Sequence, residues 1–83
     1  EEMFMSENKL ISTIERSSTE QLQIAVKEFK GKKYLDLRIF YTTDDGASWL
    51  PTKKGVTVSP NHLSILKEAI EVAIDELDGL GDE

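Results

Sequence analysis

The amino-acid sequence predicts an α+β domain, a four-stranded antiparallel meander followed by one C-terminal helix, and three observations carry that prediction. Apolar and polar residues alternate over 22–29 and again over 33–43, the period of a half-buried strand. Turn residues follow each run: Gly31 after the first, and Asp44, Asp45 and Gly46 after the second. From Pro60 onward apolar residues recur at helical spacing. With 83 residues the chain makes one domain, and a domain this short buries only roughly 60 to 65% of the surface its unfolded form exposes.

Taken in order, residues 1–21 are expected to form a partly flexible N-terminal tail, frayed over 1–9. The stretch "LISTIER" (10–16) suits a helical turn and a ragged strand equally, and "SSTEQ" breaks its pattern. "LQIAVKEF" (22–29) sets Leu22, Ile24 and Val26 on one side of a strand and turns Lys27 and Phe29 to the other. "KYLDLRIFYTT" (33–43) sets Leu35, Leu37 and Ile39 against Tyr34, Asp36, Arg38 and Phe40. "DDG" predicts a hairpin, with "ASWL" as a short third strand, and Pro51, which cannot donate to a ladder, is expected to end that strand or sit at an edge. "VTVS" is the fourth strand. Ser59 before Pro60 predicts a helix start, with the serine oxygen capping free amides. The helix is expected to run to about Asp78, stop at Gly79 and leave 79–83 as an acidic tail. Residues 22–78 therefore form the expected domain.

That helix carries more apolar surface than one sheet needs. At 100° per residue, Leu63, Leu66, Ile70, Ile74 and Leu77 fall within about 80° of arc, and Ile65, Ala69, Val72 and Ala73 widen it towards about 200°. Either stripe suits the sheet as its cover, and a strongly curved sheet, or the stretch before Leu22, packed on the helix would bury both. The second, Ile65, Ala69, Val72 and Ala73, suits a helix-to-helix interface between two copies of the chain.

Several function classes find no support. Without cysteine there is no disulfide framework or thiol nucleophile, a composition that fits a reducing intracellular compartment. A lone histidine, His62, assembles neither a zinc cluster nor a catalytic triad. Asp44 and Asp45 are explained by turn chemistry, and no glycine loop opens a helix to cradle phosphate. No enzyme, metal or cofactor is expected. There is no apolar run of membrane-spanning length, and "EEMFMSEN" does not read as a secretory signal, so no membrane partner is expected.

Charge is unevenly distributed. The net charge is −6, yet residues 27–54 hold seven bases (Lys27, Lys30, Lys32, Lys33, Arg38, Lys53, Lys54) against four acids. Residues 68–83 hold seven acids and no base. Such segregation builds a positive face inside an acidic protein. Alternation collects Lys27, Phe29, Tyr34, Arg38 and Phe40 on the sheet side away from the helix, with Lys30 and Lys32 at the first hairpin and Lys53 and Lys54 further on. Cations neutralise phosphates and rings stack on unpaired bases, so the pattern points to single-stranded nucleic acid. The competing class is a protein-interaction module whose basic face recruits acidic partners.

Residues 22–77, through "VKEFKGKKYLDLRIFY", "DDG", "PTKKGVTVSP" and the closing helix, resemble the single-stranded-DNA-binding transcriptional coactivators of the positive cofactor four type. The resemblance implies a curved four-stranded sheet and one helix, dimerisation through the helices, and a channel for single-stranded DNA between the two sheets. It implies Phe29 as a stacking ring, Lys30 and Lys32 as phosphate contacts, and Arg38, Lys53 and Lys54 on the same surface. The family often has an aromatic residue at the place of Tyr41. Alternation sends Tyr41 to the side of Leu37 and Ile39, so it meets DNA only if a bulge shifts the strand's phase, and otherwise Phe40 is the stacker. Trp49 is open between a dimer contact and the binding surface. The Ser- and Lys-rich tail that some eukaryotic members carry before this domain has no match here, so a small prokaryotic or minimal DNA-binding version is expected in place of coactivation by recruitment. The expected partners are single-stranded DNA or RNA, a second copy of the chain and the transcription machinery. The expected setting is the nucleus in a eukaryote, or the cytoplasm and nucleoid in a prokaryote.

Overall fold

The computed structural model describes residues 8–81, so the expected fraying of residues 1–7 lies outside the described residues. Strands β1 (Lys9–Glu15), β2 (Glu20–Phe29), β3 (Lys32–Tyr41) and β4 (Leu50–Val58) form one sheet in the order β1-β2-β3-β4, each pair antiparallel. A single 3₁₀ turn, Pro60–His62, leads into helix α1 (Leu63–Gly81). The expected fold class is the observed one, but its four strands are drawn differently.

β1 occupies the ambiguous "LISTIER" segment, inside the stretch expected as a tail, and pairs with β2 from Lys9↔Val26 to Glu15↔Gln21. A register shift between Leu10 and Ser12 makes room for Ile11. That bulge puts two apolar residues side by side and hides the period of two. The expected strands at 47–50 and 56–59 are in fact a single strand that starts at Leu50. Pro51 lies within it, opposite Phe40, because β4 is an edge strand and tolerates a missing donor.

Both turns are built from local chemistry. Lys30 (φ 54°) and Gly31 (φ 79°) form a two-residue connection between Phe29 and Lys32, the left-handed pair a type I′ hairpin requires. In the "DDG" turn, Asp45 (φ 60°) and Gly46 (φ 88°) take the same region. Residues 47–49 are not a strand, because Asp44 ties this segment into a loop: its carboxylate accepts from Thr42 Oγ1 (2.7 Å), Ser48 Oγ (2.7 Å) and Ser48 N (3.0 Å). Those bonds hold the Asp44 carboxyl down at about 2, with the Thr42 bond the largest cause.

The helix start differs in detail from the expectation. Ser59 is extended and makes no side-chain cap, and its carbonyl accepts instead from His62 N at 2.9 Å. Gly79 does not stop the helix, which continues to Gly81, so the expected acidic tail begins as helix.

Nor does the helix lie along the sheet as its cover. Leu63, Leu66 and Ile70 border a groove against Leu35, and Leu63 and Leu66 are half-buried. Ile65, Ile70, Val72, Ile74 and Leu77 are all at least half exposed. The sheet face made by Leu22, Ile24, Val26, Leu35, Leu37 and Ile39 is only half-buried. Ala25 is the one buried hydrophobic residue among those described, beside the buried polar Asp36 and Thr42. The radius of gyration is 15.3 Å, against about 12 Å for a compact domain of this length. A single chain thus folds into a sheet and a projecting helix whose apolar faces are both open.

Candidate nucleic-acid interface

The unbroken register of β2 against β3 decides which side chains share a face. Gln21↔Phe40, Gln23↔Arg38, Ala25↔Asp36, Lys27↔Tyr34 and Phe29↔Lys32 are cross-strand partners, and Arg38↔Gly55 and Asp36↔Thr57 extend the row onto β4. Alternate residues point the same way, so these form one face of the sheet. Its other face carries Leu22↔Ile39, Ile24↔Leu37↔Val56 and Val26↔Leu35↔Val58, and the helix's groove with Leu35 lies on that side.

Phe29 therefore stands on the cationic face, 49% exposed, with Lys30 Nζ 5.4 Å from its ring centroid. That distance suits a cation–π contact and keeps the ring's surroundings positive. Phe40 and Tyr34 share the face and are half-buried. No bulge interrupts β3 against β2, so Tyr41 falls on the opposite side, opposite Glu20 and Leu50. Trp49 is half-buried before β4, beside the glycine of the turn.

Lys53 and Lys54 owe their position to an irregularity in β4. Arg38 pairs with Gly55 and Phe40 with Pro51, so three residues of β4 stand against Ile39 alone. This wide bulge pushes the two lysines out of the ladder. Thr52 staples it, donating from Oγ1 to the Ile39 carbonyl (2.7 Å) and accepting there from Lys54 N (3.1 Å). Both lysines are exposed, as are Lys30 and Lys32, and none of the four has an ion pair among the described residues.

Two of the expected cations behave otherwise. Lys27 Nζ lies 3.2 Å from Asp36 Oδ2, and Arg38 donates to both Asp36 oxygens, from Nε at 3.1 Å and Nη2 at 2.9 Å. Arg38 Nη1 also donates to the Thr52 carbonyl at 3.0 Å, which ties the guanidinium to the bulge. Burial works to raise the pKa of Asp36, but the hydrogen bonds and charges of Arg38 and Lys27 outweigh it and hold the carboxyl below its ordinary value. Asp36 and Gly55, which sequence reasoning did not single out, organise this part of the face. The "DLR" spacing of two, which puts Asp36 and Arg38 on one side of a strand, was the available signal.

Fold and site together define a small sheet-and-helix binding domain with one cationic, aromatic face and one apolar face. A family model described as Transcriptional Coactivator p15 (PC4) matches residues 16–69, and the chain belongs to that family. It is 43% identical over 51 residues to an RNA polymerase II transcriptional coactivator of Drosophila melanogaster, a match covering 61% of this chain and 42% of that protein. A putative RNA polymerase II transcriptional coactivator of Caenorhabditis elegans is 36% identical over 45 residues, covering 54% of this chain and 36% of the relative. The chain thus spans less than half the length of these relatives. The crystal structure of a PC4 homolog from Burkholderia pseudomallei superposes with a TM-score of 0.73 at 26% identity, covering 80% of this chain and 88% of that one.

Proposed function

We propose that the chain acts as a homodimer that binds single-stranded DNA with little sequence preference and supports transcription by holding melted strands. The observation that carries this reading is the uncovered sheet face on which Phe29, Tyr34 and Phe40 alternate with cations, flanked by lysines 30, 32, 53 and 54, exposed and without an ion pair among the described residues. Stacking on rings is worth ~1 to 3 kcal/mol per base and does not depend on which base is stacked. The lysines supply the phosphate contacts. Tyr41 and Trp49 lie off this face or at its margin, and they meet the strand only if it continues around the end of β3. The transcriptional role follows from the family and from the coactivators this chain resembles.

The second copy follows from the open apolar surfaces. With one hydrophobic residue buried among those described, the single chain lacks the core that stabilises a domain. A like copy offers the matching apolar sheet face and helix, including Ile65, Ala69, Val72 and Ala73, and leaves the cationic faces free to bind. No described helix is long and apolar enough to cross a membrane.

Titration of a fluorescent oligothymidine, beside the matching duplex and RNA, tests the function. The expected result is preference for the single strand over the duplex, with affinity falling steeply as salt rises, since each phosphate contact contributes about −0.7 to the slope of log K against log salt. Equal binding of duplex, or affinity indifferent to salt, would refute it.

A further inference from the structure

The guanidinium of Arg38 is held in one plane from three directions. Its Nε and Nη2 edge, the fork that grips a phosphate with two parallel bonds, is already occupied by Asp36. Nη1 is bonded to the Thr52 carbonyl. Asp36 is 3% exposed, and its position is itself fixed by Lys27. Against the guanidinium lies Gly55: a Cβ there would sit 2.7 Å from the Leu37 carbonyl oxygen, 2.8 Å from Arg38 Cζ and 3.0 Å from Nη1, so that carbonyl and the guanidinium together occupy the space a side chain would fill. The helix is on the far side of the sheet, against Leu35. Arg38 keeps 22% of its side-chain surface exposed. Two aromatic rings share its face, Tyr34 and Phe40, each two or four positions along β3.

From this geometry we infer that Asp36 and Gly55 are positioning residues that lay the Arg38 guanidinium flat on β4 as a stacking plate for an unpaired base, in place of a phosphate contact. This deepens the nucleic-acid reading above and rests on it. A planar guanidinium stacks on bases as well as on rings, and its charge is here largely answered by a carboxylate. The ligand class it selects is a strand whose bases are splayed from the duplex. A base-free sugar-phosphate chain would gain nothing from it. Phosphate neutralisation is left to the lysines at 30, 32, 53 and 54.

Charge alone and positioning predict opposite signs for one substitution. Asp36→Asn removes a negative charge from the face, so a purely electrostatic surface would bind every polyanion more tightly. The positioning account expects oligothymidine affinity to fall at least about fivefold, the low end of one base stack, while affinity for an abasic oligomer of equal length holds or rises. Arg38→Lys, which keeps the charge and loses the plane, is expected to give the same selective loss. Circular dichroism confirms that each variant is folded, and if Asp36→Asn does not fold, Arg38→Lys alone decides. Tighter oligothymidine binding by folded Asp36→Asn, or a ratio of oligothymidine to abasic affinity that Arg38→Lys leaves unchanged, overturns the inference. Failure of the wild-type protein to bind oligothymidine at all would instead remove the underlying reading, and this one with it.

Discussion

Phe29 and the paired lysines of the bulge separate two kinds of contribution that one surface can make. Phe29 is 49% exposed at the end of β2, so Phe29→Ala removes little packing. The expected outcome is a loss of ~1 to 3 kcal/mol in oligothymidine binding with a stability change well below the ~3 to 5 kcal/mol typical of a buried phenylalanine. Thermal melts beside the titration check this, and a large melting shift with unchanged binding would place the ring in the core. Changing Lys53 and Lys54 together to alanine is expected to reduce the salt slope by about 1 to 1.5, as two phosphate contacts at ~0.7 each would. A loss of affinity at constant slope would mean that they shape the bulge only. Asp36 gives a third expectation. Its carboxyl lies below the ordinary value of 3.8, so its ion pairs add stability that is fully present above that value and lost as pH falls through the lowered one. Melting temperature against pH should hold steady down to about 5 and fall below about 4, and Asp36→Asn should flatten that fall.

At the scale of elements, what the sequence disclosed follows a physical divide. Leu22, Ile24 and Val26 in β2, and Leu35, Leu37 and Ile39 in β3, alternate cleanly because both strands are central and unbulged. Both were legible, and with them the face that carries Phe29, Arg38 and Phe40. The edge strands were not. Ile11 in β1 and the Thr52–Lys54 bulge in β4 break the period of two, and Pro51 reads equally as a strand end and as an edge position, of which the structure takes the second. Lys53 and Lys54 were legible as cations of a connection beside the face, while the strand bulge that carries them was not. Gly55 was opaque for a different reason: its need comes from the Leu37 carbonyl and the Arg38 side chain, across the ladder and far away in sequence. The apolar breadth of α1 was legible, but the sheet was expected to take one stripe, and the structure leaves both open. Val72, 60% exposed, reads that openness directly. Val72→Asp should leave the single chain's own contacts intact and raise the dissociation constant of the dimer at least tenfold, since burying a Val side chain is worth ~1.5 to 3 kcal/mol. Sedimentation across a concentration series checks it, and an unchanged constant would remove Val72 from the interface.

The whole molecule is a division of labour between two faces of one sheet. One face, with α1, is apolar and unfilled in a single chain. Its opposite is cationic and aromatic, with Asp36 as the acid that orders it. Without a second copy the apolar side would have no core, and a pair closed on the cationic sides would leave that apolar surface in water. The proposed dimerisation by the apolar side accounts for both at once, and it would place two of the proposed DNA-binding surfaces in one particle. Sedimentation equilibrium of the free protein at tens of micromolar tests this most directly. The account predicts a folded particle of twice the 9.4 kDa chain mass, and a folded particle of the single chain's mass would contradict it.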